Sequence, residues 1–254
     1  MTTEAIDLAV AAATAVAAGL VGCFAVMRRM ALAADALSHI ALPGIAVALA
    51  FHVNPLFGAV VMLAFGAVLV WGLERQTRIS TDTIIGVVFS AALAAGSLMT
   101  SGEDLIDALF GRTAPLSWSE AAFGFVAAVA VAAFVIRMRH RLVVALVSPD
   151  LLRTSGVDIR RLNLVYLLMF ALTVALGLRH LGVLLMGSLV IIPAATARRF
   201  ATHLTAMLAL SATIAAAVTV TGSMLAAWRH WQAGPVVVIL AAAGFALALV
   251  RPAR

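Results

Sequence analysis

Of the 254 residues, 64% are hydrophobic and 11% charged, against about 45–50% and about 25% in an average soluble domain, which excludes a soluble globular protein. Mean hydropathy is +1.13, and with about 20 apolar residues per spanning helix the chain holds roughly eight to ten crossings and no separate soluble domain. All 17 basic residues are arginine, so a Walker A phosphate loop and a Schiff-base lysine are both excluded, and any nucleotide hydrolysis that drives this chain resides on another polypeptide.

The first residues carry Glu4 and Asp7 and no base, the wrong start for a cleavable signal peptide, so the first apolar segment is expected to stay as a helix. Apolar runs follow one another at 6–27, 31–51, 55–73, 82–101, 119–138, 162–178, 182–197, 203–227 and 235–250. They predict an all-α polytopic membrane protein, one transmembrane domain over 1–254, with nine spans or alternatively eight. The run 182–197 is the weakest: it is short and carries Gly187 and Pro193, as expected of a broken or re-entrant element. With nine spans, 14 arginines fall on one side and Arg112, Arg179 and Arg229 on the other; with eight, the division is 11 to 6. Basic residues gather in cytoplasmic loops, so the nine-span reading places the N-terminus outside and the C-terminus inside. The net charge of +6 then reflects a membrane surface and not a nucleic-acid partner. Cys23 stands alone, which excludes an internal disulfide and a cysteine-rich zinc site.

This orientation puts Glu4, Asp7, Glu103, Asp104, Asp107 and Glu120 on the outer face. An acidic mouth attracts cations, with His52 and His180 as candidate helpers, although acidic residues are also simply tolerated there. Inside the membrane, the second segment carries Asp35, Ser38 and His39. Asp35 and His39 are four residues apart and share one face of a helix, with Ser38 beside them. A charge at that depth costs about 2.5–3.5 kcal/mol, so such residues normally face a cavity. One nitrogen and one oxygen ligand suit Zn²⁺ and are tolerable for Mn²⁺. Two ligands do not complete a site, but two copies of the chain about a two-fold axis would supply four. The other reading is a buried Asp–His hydrogen bond that clamps helices. Pro43 and Gly44 follow within a turn, and the carbonyl that Pro43 leaves without a donor makes a helix break and a gate expected there.

On the inner side, 148–161 (SPDLLRTSGVDIRR) reads as a short helix over about 148–156 outside the bilayer. Ser148 is its cap, Pro149 opens its first turn, Asp150 complements its positive end and Gly156 is its left-handed stop. It is either a knob for a cytoplasmic partner or a plain solvated helix.

The run 35–45 (DALSHIALPGI) closely resembles the signature of the permease subunits of zinc and manganese ABC importers, the ABC-3 family. So, in order, do 85–90 (IGVVFS), 107–111 (DALFG), 182–197 (GVLLMGSLVIIPAATA) and 234–239 (GPVVVI). The resemblance spans nearly the whole chain; Ala34, where the family commonly has Gly, and Pro149, where it has an aromatic, depart from the pattern. It implies a non-enzymatic transport subunit in a prokaryotic cytoplasmic membrane. It also implies a second permease copy, a cytoplasmic ATPase holding the ATP, an outer metal-binding protein, and Zn²⁺ or Mn²⁺ as cargo with no resident cofactor. It makes 148–156 the coupling helix. Two other classes remain expressible in the sequence. A proton-coupled carrier working without an ATPase would use Asp35 as its proton site, and an intramembrane metalloenzyme would need a His-Glu-x-x-His pattern that this chain lacks.

Overall fold

A backbone in hydrocarbon must satisfy its own hydrogen bonds, and long runs of Ala, Leu, Val and Gly do so as helices. The computed structural model describes residues 3–77, 79–99, 116–148, 150, 152 and 156–250, and among them no strand occurs. The helices are α1 (Thr3–Met27), α2 (Ala31–Ala50), α3 (Pro55–Gln76), α4 (Thr81–Met99), α5 (Trp118–Val147), then a stretch Ile159–Phe200 that breaks in two, and α8 (Leu204–Arg229) and α9 (Ala233–Val250). The broken stretch supplies α6 (159–181) and α7 (183–200), on either side of Gly182. Eight of these helices are long and apolar enough to cross a bilayer, and within α2 the apolar part Asp35–Ala50 is shorter. The nine apolar runs therefore become nine helices among the described residues.

Local chemistry sets the helix starts. Asn54 accepts a bond from the Leu56 N–H at 2.9 Å, with Pro55 opening α3; the fixed φ of proline and its missing donor suit that position. Ser117 and Glu120 form a capping box on α5, and Asp158 caps α6 by accepting from the Arg160 and Arg161 N–H groups. Helix α5 has 30 residues, so it is about 45 Å long against a hydrocarbon core of about 30 Å. Its apolar run ends at 138, but the helix continues to Val147 with Arg137, Arg139, His140 and Arg141 on it. Charge ends hydropathy without ending a helix.

The break expected inside 182–197 lies at its first residue. Gly182 has φ 74° and ψ 173°, a conformation essentially confined to glycine, while Gly187 and Pro193 sit in uninterrupted helix. Neighbouring helices tolerate the proline. The chain folds back at Gly182. A Cβ on Gly177 would lie 2.0 Å from the Met186 sulfur, whereas nine residues of straight helix separate by about 13.5 Å. Gly182→Ala is expected to cost about 1–3 kcal/mol, measured as a lowered thermal unfolding midpoint in detergent.

Two ends of the bundle are defined by polar contacts. At one, the Leu116 N–H donates to Asp7 at 3.2 Å and Asn54 donates to Glu120 at 2.8 Å. At the other, Thr81 donates to Glu74 at 2.8 Å, Asn163 donates to Glu74 at 3.1 Å, and Arg28 donates to Asn163. These contacts tie the ends of α1, α3, α4 and α6 together. The core between the ends is packed backbone to backbone. Where α2 crosses α3, a Cβ on Gly44 would lie 2.3 Å from the Gly58 carbonyl oxygen, the close approach that small residues permit when lipid offers no hydrophobic force between helices.

Candidate functional site

Helix α2 is enclosed by α3, α4 and α7, and this enclosure grades the exposure of its polar residues. Ser38 is fully buried and His39 is 9% exposed, while Asp35, nearest the helix start, is exposed on the surface of the chain. The His39 ring stands edge-on to Phe89 of α4, centroids 5.3 Å apart at 62°. Its Nδ1 is buried and has no hydrogen-bond partner. An orphaned polar atom of this kind costs about 1–3 kcal/mol. The Asp–His clamp is not made through Nδ1, and that ring nitrogen keeps its lone pair or its proton uncommitted.

Helix α2 continues unbroken through Pro43 and Gly44, so the helix break expected there is absent. The proline removes the donor for the His39 carbonyl without bending the chain out of helix, because packed neighbours on three sides hold it, and Gly44 is used for the close approach to Gly58. On the third side, α7 meets α2 at Gly187: a Cβ there would lie 2.7 Å from Asp35 Cα and 2.9 Å from Asp35 N. The residues that carry the resemblance thus meet in space. Segment 35–45 contacts 85–90 through His39 and Phe89 and 182–197 through Asp35 and Gly187. Segment 234–239 joins them where Gly234 abuts Leu181 and Leu185. Segment 107–111 lies outside the described residues.

Chemically, the pair presents a buried imidazole and a surface carboxylate one turn apart. Among the described residues no group of three His, Cys, Asp or Glu side chains gathers that could hold a metal ion. A carboxylate left against lipid is penalised, so the exposed Asp35 requires a polar or protein surface opposite it. Of the outer candidates, His52 is exposed in the α2–α3 turn with φ 53°, at the end that holds Asn54 and Glu120. Glu103, Asp104 and the side chain of His180 lie outside the described residues.

At the opposite end, Ser148 closes α5, its N–H bonded to the Val144 carbonyl at 2.9 Å, and no side-chain cap by Ser148 forms among the described residues. Asp150 and Leu152 are helical and Gly156 has φ 74°. The Val157 N–H reaches the Leu152 carbonyl at 3.3 Å, the bond that closes a helix on a left-handed glycine. Gly156 is therefore the stop expected of it; Pro149 lies outside the described residues. Leu152 is 5% exposed and anchors this turn to the bundle. At the same end of the bundle, the Arg28 guanidinium lies 4.3 Å over the Tyr166 ring. Burial lowers the Arg28 pKa from the ordinary arginine value, with Tyr166 and Glu74 acting in the opposite sense. Sequence reading missed this Arg28–Asn163–Glu74–Thr81 network and Phe89. The first had a signal in Glu74 and Asn163, two polar residues at the margins of apolar runs. Phe89 had only its place in the 85–90 segment.

A family model described as the ABC 3 transport family matches residues 3–251. The chain is 34% identical over 239 residues to the high-affinity zinc uptake system membrane protein ZnuB of Haemophilus influenzae, covering 92% of this chain and 91% of that protein. It is 28% identical over 242 residues to the manganese import system permease protein ScaB of Streptococcus parasanguinis, covering 94% and 86%. Among solved structures, PsaBC from Streptococcus pneumoniae in complex with Fab superposes with a TM-score of 0.85 at 26% identity, covering 98% of this chain and 91% of that one.

Proposed function

The chain belongs to the ABC 3 transport family, and from that premise we propose that it is the permease subunit of an ATP-driven importer for divalent transition metal ions, zinc first and manganese second. It works as two copies with a cytoplasmic ATPase and an outer metal-binding protein, in the cytoplasmic membrane of a prokaryote. The observation that carries the metal reading is the α2 pair: a buried ring nitrogen without a partner beside a carboxylate exposed on the chain's surface. Two copies facing one another through Asp35 give two carboxylates and two imidazoles, a tetrahedral set suited to Zn²⁺. Imidazole nitrogen favours zinc over manganese, and the identity to a zinc permease exceeds that to a manganese one.

In this reading the N-terminus is outside and the turn at 148–156 faces the ATPase. Metal enters between Glu120 and the other outer acids, meets Asp35 and His39, and leaves inward when motion of the ATPase dimer is passed on through 148–156. The two conformations must bind the ion with different affinity, because a ligand shifts an equilibrium only by its differential affinity for the two states. Ser38 lies beside the pair as a further oxygen donor.

The test is uptake by proteoliposomes holding this chain with its ATPase and binding protein, comparing Zn²⁺ with Mn²⁺, with and without ATP. ATP-dependent accumulation of Zn²⁺ above Mn²⁺ is expected. Accumulation that ignores ATP and follows a proton gradient would replace this reading by a proton-coupled carrier centred on Asp35.

A further inference from the structure

The end of the bundle that carries Arg28 and Glu74 holds a cleft of about 460 Å³ between α3, α5 and α6. Arg75 and Arg160 both line it and also line the smaller hollow that continues it past Gly72 and Gln76. Trp71 joins the two arginines: its Nε1 donates to the Arg160 carbonyl at 3.0 Å, and the Arg75 guanidinium lies 4.5 Å over its ring. The one carboxylate on the wall, Glu74, is engaged on both oxygens, by Thr81 and Asn163. Against this single carboxylate stand Arg28, Arg75 and Arg160, so the net charge of the lining is positive.

The second observation is the face of α3 that leads into it. Phe57 (63% exposed), Val61 (52%), Phe65 (57%) and Val68 (45%) recur at helical spacing and form one apolar stripe along α3. One turn beyond Val68 the same stripe meets Gly72, where a Cβ would find nothing within 4 Å, and then Arg75 and Gln76. An apolar stripe about 16.5 Å long, close to the depth of one leaflet, therefore ends in an open notch and two arginines beside a tryptophan. Each basic residue near an anionic membrane surface attracts it by about 1 kcal/mol.

We infer that this cleft is a binding site for an anionic phospholipid, with an acyl chain along the α3 stripe, the glycerol over Gly72 and the phosphate between Arg75 and Arg160. The site depends on neither the metal reading nor the orientation of the chain.

Trp71 reports the occupant, because Trp118, Trp228 and Trp231 start α5 or flank the α8–α9 turn. The full chain is reconstituted in phosphatidylcholine vesicles containing phosphatidylglycerol brominated near the headgroup, and the Trp71 signal is isolated by subtracting Trp71→Phe. At equal mole fraction, brominated phosphatidylglycerol is expected to be about tenfold enriched at Trp71 over brominated phosphatidylcholine. Arg75→Gln with Arg160→Gln removes the preference, and Gly72→Leu reduces quenching while leaving the charges in place. Equal quenching of wild-type protein by the two lipids overturns the proposal without recourse to any variant. Relief of quenching by millimolar inorganic phosphate would make this a free-anion site. Loss of the preference when the ATPase is added would make it a protein-docking face. Either result overturns a lipid as the occupant.

Discussion

Replacing His39 by alanine is expected to bring ATP-driven Zn²⁺ uptake to background while the transporter still assembles. The ring touches Phe89 edge-on, a contact whose loss costs about 0.5–1.5 kcal/mol beyond the area lost. The same substitution removes a buried nitrogen that has no partner, which recovers about 1–3 kcal/mol. The recovery offsets part of the burial and cavity cost of a large-to-small change, so the midpoint of thermal unfolding should fall only modestly. Uptake should not behave that way. Residues that merely orient a metal ligand cost about 10- to 100-fold when removed, so under the proposed metal role the loss of His39 costs at least as much. Asp35→Asn keeps the shape and a hydrogen-bonding oxygen while removing the charge, and should give the same pattern. The measurement is paired: uptake in proteoliposomes, and elution with the ATPase on size exclusion. If His39→Ala destabilised the chain in proportion to the uptake lost, His39 would be a packing residue and the metal role would fall.

The helices were legible in the sequence because hydrocarbon leaves so few alternatives. Each apolar run had to become a helix, but the ends were set by local chemistry that the runs themselves do not show: the caps at Asn54 and Ser117, and the continuation of α5 past its apolar stretch to Val147. Two places failed for different reasons. Pro43 and Pro193 read as breaks, since proline removes a donor and crowds the preceding turn, yet both lie in continuous helix because packed neighbours supply what an isolated helix could not. The real break is Gly182, and a lone glycine among others gives no local sign that its φ will be positive. The site shows the same division. That Asp35 and His39 share a face is a property of spacing. That one is exposed and the other buried depends on which helices enclose α2, which only the tertiary arrangement determines. The Arg28–Asn163–Glu74–Thr81 network joins residues up to 135 apart in the chain, beyond the reach of any periodicity.

That enclosure makes α2 sensitive at a residue with no chemistry of its own. Gly187→Val places a Cβ where Asp35 Cα is 2.7 Å away and its N and Cβ are 2.9 Å away, all of them atoms fixed to the helix backbone. No rotamer relieves such a contact; α2 and α7 must separate, and Asp35 must shift with α2. Overpacking of this kind costs about 1–3 kcal/mol. The same physical insult away from the pair is available at Gly19 of α1, where a Cβ would meet the Ser211 carbonyl oxygen at 2.8 Å. Gly19→Ala should lower the unfolding midpoint by a similar amount, because Ser211 also donates to the Gly19 carbonyl at 2.7 Å and that bond would be strained. The two variants are expected to part company in uptake: Gly187→Val falls toward the level of Asp35→Asn, and Gly19→Ala keeps most of its activity when assayed well below its midpoint. Equal losses in both would mean that transport follows overall stability, and the placement of Asp35 by α7 would then have no separate part in handling the ion.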